Sequence, residues 1–331
     1  MNLIIFILYI KLTLIYCYLS NAHYHESIKL ASGTILAFIS RENTAGTYNK
    51  CYVSIKQFSK DEGSYFLYIT NDYHYIYDSY GKLYFKISIT NNIFNRFYSL
   101  VPYSHLRNEL NYYIIYFYNS TRFAFTKFAY NLTNENFQKK YFYINNNLRT
   151  EKNLITCQLM KNSNGKVISC FFLTYLENEY YLSCSVFSPE ENLKIIQTSQ
   201  IKVEATSFYR IVSEVISNDE RQKALIILSI SNNEKDCLFY AGYNIHNNNF
   251  TYGYLVENNC SIYKDDNYYI SISYFNVTEE FIVSSLRQCT FNNRSQLNYL
   301  IYSFDNNFRS SYFWNFGRFS IRRFLLQKRT F

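Results

Sequence analysis

Two histidines and an acid stand together at His23-Tyr24-His25-Glu26, directly after a long apolar segment. A cut before His23 would leave a free amine beside two imidazoles, a nitrogen-rich set of the kind that suits copper or another divalent ion. A solvated terminus with two exposed histidines is the plainer account, and neither a metal nor another cofactor is expected. His74, His105 and His246 are far apart in sequence, with no acid or nucleophile spaced to form a triad with them. No P-loop, GxGxxG, GxSxG, HExxH or EF-hand pattern occurs. With only 8 Gly, backbone cradles for phosphate are hard to build. The sequence nominates no catalytic residue, and binding is favoured over catalysis.

Cysteine offers more. Cys17 falls in the apolar leader, which leaves Cys51, Cys157, Cys170, Cys184, Cys237, Cys260 and Cys289. Cys157 and Cys170 are symmetric about the turn residues 162–165, and Cys170 and Cys184 about Glu177. Cys170 therefore has two candidate partners, between which sequence does not choose. Cys237 and Cys260 flank another turn with a mismatch of about two residues, which one bulge would absorb. In an oxidising compartment at least one of these five forms a bridge; in a reducing one they are small buried hydrophobes. Zinc is not expected, because there is no CxxC and no cluster with histidine.

Three further features could touch a partner. The last segment, from Phe308, carries Arg309, Arg318, Arg322, Arg323, Lys328 and Arg329 with no acid, interleaved with aromatic rings. The formal net charge is +8, so the body before this segment is close to neutral. Such a segment suits a weak contact with an anionic membrane through Arg318, Arg322, Arg323, Lys328 and Arg329. Nucleic acid is not an expected partner for an exported chain. Six N-x-[ST] sequons occur, at Asn119, Asn131, Asn249, Asn259, Asn276 and Asn293. Their number is what chance gives in so Asn-rich a chain. Asn119 and Asn276 fall in expected hairpin turns and Asn249 borders one, where a glycan has room. Tyr73, Tyr75 and Tyr80 are candidate contact residues, with ordinary strand packing as the alternative.

What positions these groups is a β scaffold. The chain has 331 residues, 48% hydrophobic and 20% aromatic, with 37 Tyr and 29 Phe. Tyr, Phe and Ile favour strands because flat or branched side chains pack on a pleated surface. With 2 Pro and few Gly, turns must rely on Asn, Asp and Ser. AT-rich codons favour the same residues, so pattern is the better guide. Residues 1–22 read as a signal peptide: Leu3–Ile10 is continuously apolar, the run resumes after Lys11, and Ser20-Asn21-Ala22 supplies small residues before a cut at His23. The n-region lacks Lys or Arg, so an uncleaved anchor is the alternative. Residues 23–317 form the repetitive β domain, and 318–331 the basic tail.

The repeat is visible as apolar strand, polar turn, apolar strand. Copies start near Cys51, Tyr112, Val167, Ala224 and Tyr268, about 61, 55, 57 and 44 residues apart. The first continues into two more strand-like runs, giving four strands in about 40 residues. This resembles a β-propeller, whose blades are four-stranded units of about this length. A single such sheet has two apolar faces, which stacking like sheets would bury. The expected fold is all-β and propeller-like, with five to six four-stranded units; a β-sandwich or irregular β solenoid is the alternative. The segment 28–40 would complete a carboxy-terminal unit, and the tail from Phe308 departs from the pattern. Helix is allowed only at 104–113 and 210–223, each equally readable as strand and loop.

The resulting expectation is a secreted or surface protein presenting loops on a rigid β scaffold to an extracellular protein or carbohydrate. The alternatives are a glycan-active propeller enzyme and a membrane-surface binder acting through its basic tail.

Overall fold

The computed structural model describes residues 24–29, 35–40, 54–57, 66–69, 73–77, 83–88, 98–106, 109–131, 133–134, 136–146, 148–150, 154–216, 222–232, 235–255, 260–262, 270–275, 278–291 and 294–316. The leader 1–22 and the basic residues Arg318, Arg322, Arg323, Lys328 and Arg329 lie outside them, as do Cys51, Tyr80, Asn259, Asn276 and Asn293.

The described chain is all-β, and its repeated element is a four-stranded antiparallel sheet of the propeller type. A hairpin comes first, β1 (Tyr24–Lys29) with β2 (Ile35–Ser40). Next is the sheet β3 (Ser54–Gln57), β4 (Phe66–Ile69), β5 (Tyr73–Tyr77) and β6 (Leu83–Ser88). The second sheet holds β7 (Tyr98–Leu106), β8 (Glu109–Asn119), β9 (Arg122–Asn131) and β10 (Phe137–Asn145). The third holds β11 (Ile155–Asn162), β12 (Gly165–Leu176), β13 (Glu179–Ser188) and β14 (Lys194–Val203). The fourth holds β15 (Ser207–Val215), β16 (Lys223–Asn232), β17 (Lys235–Asn244) and β18 (Asn249–Leu255). The last has β19 (Cys260–Ile262) and β20 (Ile270–Phe275) end to end along β21 (Glu280–Phe291), then β22 (Arg294–Phe304) and β23 (Ser310–Phe316). In the first four of these sheets the strands follow chain order, each pairing with the next; in the last, β19 and β20 both pair with β21, which pairs with β22, and β22 with β23.

Several expectations are corrected here. Of residues 104–113 and 210–223, the two readable as helix or as strand and loop, the described ones take the strand reading, in β7, β8, β15 and the start of β16. Along β15, Ile211, Ser213 and Val215 are buried and alternate with half-buried residues, a strand period and not a helical one. Segment 28–40 contributes to β1 and β2, which pair with each other, while the last sheet takes all its described strands from residues 260–316. The chain from Phe308 does not leave the pattern at once, because β23 is the fourth strand of that sheet.

The uneven repeat spacing also resolves. The second strands of the last four sheets begin at Glu109, Gly165, Lys223 and Glu280, which is 56, 58 and 57 residues apart. The short final interval in the sequence arises because the match near Tyr268 falls on β20 and β21, a first and second strand, whereas the three matches before it fall on second and third strands; the match near Cys51, on β3 and β4, is again a first and second strand, which lengthens the first interval.

Two compact units divide the chain. In the first (1–96, 102–113 and 126–140), His74 and Ile76 of β5 are fully buried. The His74 Nδ1 atom shares a 2.7 Å hydrogen bond with the Tyr112 hydroxyl. The His74 ring meets Phe128 edge-on at 4.9 Å, and Phe128 stacks on Tyr112 at 5.0 Å. Burial, with a smaller contribution from the Lys139 charge, pushes the imidazole pKa down to about 3.

In the second unit (97–101, 114–125 and 141–331) the sheets stack face to face. Phe171, Leu182 and Cys184 of the third sheet pack with Leu228, Phe239 and Tyr243 of the fourth. On the other side, Leu225, Ile227 and Leu238 pack with Phe281, Val283 and Leu300 of the last sheet. This explains why β16 reads as an unbroken apolar run from Ala224 to Leu228: a strand covered on both faces has no need of a polar side. At Gly242 of β17, a Cβ would lie 1.9 Å from the Phe308 ring. Phe308 is itself held with φ at 62°, buried against Phe281. Asp305 braces that turn, its Oδ1 accepting from the Asn307 and Arg309 amides at 2.8 Å.

Candidate functional site

The first strands of successive sheets run side by side, β11 beside β15 and β15 beside β20. They are joined by short polar side chains. The Cys157 amide donates to Ser99 Oγ at 2.8 Å, and that hydroxyl donates back to the Cys157 carbonyl at 3.2 Å. Gln158 Nε2 donates to the carbonyl of Ser213, whose hydroxyl shares a 2.8 Å hydrogen bond with Thr156. These groups satisfy one another inside the protein, so this seam is structural.

A more open constellation lies at one end of the second and third sheets, within the second unit. Its foundation is a run of backbone hydrogen bonds. The Asn146 amide donates to the Thr121 carbonyl at 2.7 Å and the Thr150 amide to the Ser120 carbonyl at 2.9 Å. The Tyr175 amide donates to the Arg149 carbonyl at 3.3 Å. The β8–β9 turn, the 146–150 connection and the end of β12 are thereby tied together. The β12–β13 turn is a two-residue loop with Glu177 and Asn178 both at positive φ, 50° and 66°, the geometry that matches strand twist.

On this base stand exposed groups. The Tyr118 ring of β8 meets Tyr143 of β10 edge-on at 5.1 Å, and the two residues are 48% and 54% exposed. Beside them Arg122 Nε donates to Asn145 Oδ1 at 2.9 Å. Asn119 Oδ1 accepts from both the amide (2.9 Å) and the hydroxyl (3.1 Å) of Thr121, folding the sequon into a side-chain-closed turn. On the third sheet the half-buried Tyr175 and Tyr180 are 4.8 Å apart, and the Tyr175 hydroxyl donates to Asn178 Oδ1 at 3.3 Å. Glu179 accepts from Lys202 and from the Tyr181 hydroxyl, and its carboxyl is held below the usual range, chiefly by the Lys202 hydrogen bond. The arrangement offers apolar ring edges and faces flanked by amide, guanidinium and carboxylate groups.

The residues singled out in the sequence fall as follows. Cys157 and Cys170 are bonded, with their Cα atoms 4.0 Å apart. Cys184 is a buried free thiol, its pKa raised by desolvation. The choice between these partners rests on half a residue of turn position. The loop is centred between Glu177 and Asn178, so Cys170 faces Ser185, and Cys184 faces Phe171 on the opposite side of the sheet. Cys237 is also a buried free thiol, and Cys260 belongs to the next sheet, opposite Cys289. Tyr73 and Tyr75 lie within β5, a strand flanked by β4 and β6, and not in a turn. Tyr75 is half-buried, with Lys86 Nζ 5.6 Å from its ring centre. Asn249 is exposed at the start of β18. His246 is exposed in the preceding turn, its amide donating to Asn244 Oδ1 at 3.0 Å. Among the described residues no group of three His, Cys, Asp or Glu is placed to hold a metal ion, and no helix is long and apolar enough to cross a membrane.

Tyr118, Tyr143, Arg122 and Asn145 escape sequence reading. Burial alternates along the last five residues of β10, but Tyr141, Phe142, Tyr143 and Ile144 are all apolar, so no period in the sequence marks the exposed rings.

No family model and no curated protein matches the chain. Among solved structures, it is similar to a lectin from Aleuria aurantia in complex with Fucα1-6GlcNAc, at 9% identity over 86% of this chain and 89% of that one, TM-score 0.48. It is also similar to the WD40 domain of SCAP from fission yeast, at 7% identity over 88% and 84%, TM-score 0.38. A third is a GH43 β-1,3-galactosidase with galactodeoxynojirimycin, at 9% identity over 86% and 96%, TM-score 0.39.

Proposed function

We propose that this protein is an exported binding module that takes a neutral carbohydrate at the end of its second and third sheets. The observation that carries the reading is the exposed Tyr118–Tyr143 pair beside the Arg122–Asn145 hydrogen bond. A sugar has apolar C–H faces that pack on aromatic rings and hydroxyls that bond amides and guanidinium. The tied loops keep these groups in place before a ligand arrives, which lowers the ordering cost of binding. The Cys157–Cys170 bridge supports export to an oxidising compartment. A protein partner docking on the same rings is the competing occupant.

The test is calorimetric titration with a panel of neutral oligosaccharides. Tyr143→Ala is expected to weaken binding about 2- to 13-fold, from the roughly 0.5–1.5 kcal/mol that an aromatic contact contributes. Tyr252→Ala, an equally exposed ring at 53% on the fourth sheet, should leave binding unchanged. Failure of every oligosaccharide to bind, or equal effects from both variants, would remove the reading. Release of reducing sugar during titration would replace binding with hydrolysis.

A further inference from the structure

We propose that Cys260 and Cys289 form a second cross-strand disulfide, joining the first and second strands of the last sheet. The register places Cys260 of β19 directly opposite Cys289 of β21. Directly opposed residues of antiparallel strands have Cα atoms about 4.5 or 5.5 Å apart, within the span a disulfide bridges.

A matching relation exists elsewhere in the chain. Cys157 and Cys170 are also register partners, and they too join a first strand, β11, to a second strand, β12. Both pairs thus join the first and second strands of sheets of the same design, Cys289 lying four residues further along its strand than Cys170 does. The competing partner for Cys260, Cys237, is the third residue of β17 in the fourth sheet and is a free thiol there. The strand to be secured is short. Among the described residues β19 pairs through Cys260, Ser261 and Ile262 only, while β20 pairs with Glu280–Ser285 of the same edge of β21. A three-residue strand contributes little pairing of its own, and a covalent link at its first residue would fix it to β21.

The chemistry is thiol–disulfide exchange. One thiolate attacks a disulfide of the oxidant, glutathione disulfide or an oxidised dithiol protein, and releases one thiol of it. The second thiolate then attacks the mixed disulfide, forming the Cys260–Cys289 bond and releasing the other thiol. The two cysteines lose two protons and two electrons, and the oxidant's disulfide gains both. This proposal is independent of any carbohydrate ligand.

The experiment uses the full chain equilibrated in a glutathione buffer oxidising enough to keep Cys157 and Cys170 linked. The sample is acid-quenched, unfolded, alkylated without reduction and digested with chymotrypsin. That protease is needed because residues 236–264 form one tryptic peptide containing both Cys237 and Cys260. The expected result is a linked Cys260–Cys289 peptide pair, with Cys184 and Cys237 alkylated. Cys289→Ser should make Cys260 fully alkylatable while Cys157–Cys170 stays linked, which shows that the variant still folds. Alkylated Cys260 and Cys289 in the unsubstituted protein, or a link from either to Cys237, would overturn the proposal.

Discussion

Acidification should weaken this protein through His74, by an amount that can be worked out in advance. Its imidazole is fully buried between Tyr112 and Phe128, shares a hydrogen bond with the Tyr112 hydroxyl, and has the Lys139 charge nearby. The pKa is about 3 in the folded chain, against an ordinary value of 6.5. Above pH 6.5 the ring is neutral in both folded and unfolded chains and contributes no pH dependence. Below that, the unfolded chain binds a proton that the folded chain refuses. Each pH unit then costs about 1.4 kcal/mol of stability, until the folded ring titrates near pH 3. Between pH 7 and 4.5 the loss is about 2.7 kcal/mol from this one residue. Carboxylates titrate in the same window, so the measurement must be a difference. Urea unfolding at pH 7 and 4.5 would be compared for the unsubstituted chain and for His74→Gln, whose amide can still meet the Tyr112 hydroxyl. The variant is expected to be less stable at pH 7 and to lose about 2.7 kcal/mol less on acidification. Equal losses in the two proteins would refute the argument.

Gly242→Ala should cost about 1–3 kcal/mol by forcing the Phe308 ring out of its place, read as a lower urea midpoint; a midpoint within error of the parent would show that the ring yields freely. Replacing Cys157 and Cys170 together by Ser should cost about 3 kcal/mol, the chain-entropy figure for a loop with 13 residues of separation, measured under non-reducing conditions against the disulfide-bonded parent. In a eukaryotic secretory host, Asn119 should carry an N-linked glycan, because its sequon sits in an exposed turn; Asn119→Gln and Thr121→Ala should each remove the same glycan mass, and an unmodified Asn119 peptide would end the idea.

Much of the fold was legible because the sheets are covered on both sides. Strands such as β12 and β16 declare themselves as apolar runs between Asn- and Glu-rich turns, and their period survives in the sequence. What was not legible turns on single residues. Whether Cys170 meets Cys157 or Cys184 depends on whether a loop is centred on Glu177 or half a residue beyond it, and that slip sends a side chain to the other face. Residues 104–113 were ambiguous because Leu106 and Leu110 sit at helical spacing, yet two strand ends meet there. The exposed rings were hidden for a different reason. In a chain with 37 tyrosines, type alone cannot separate Tyr112, fully buried, from Tyr118, six residues later and half in water. Only the position of a strand within its sheet makes that distinction.

The ring of Phe308 over Gly242 also bears on how the chain is made. A ribosome delivers Gly242 some 66 residues before the phenylalanine that covers it. At roughly 5–20 residues per second the notch stands open for about 3–13 seconds. During that interval the nascent fourth sheet shows an apolar dent shaped for one aromatic side chain, the kind of surface that chaperones bind. A chain ending before Phe308 would leave this dent open for good, together with the edge of β22 that β23 otherwise pairs with.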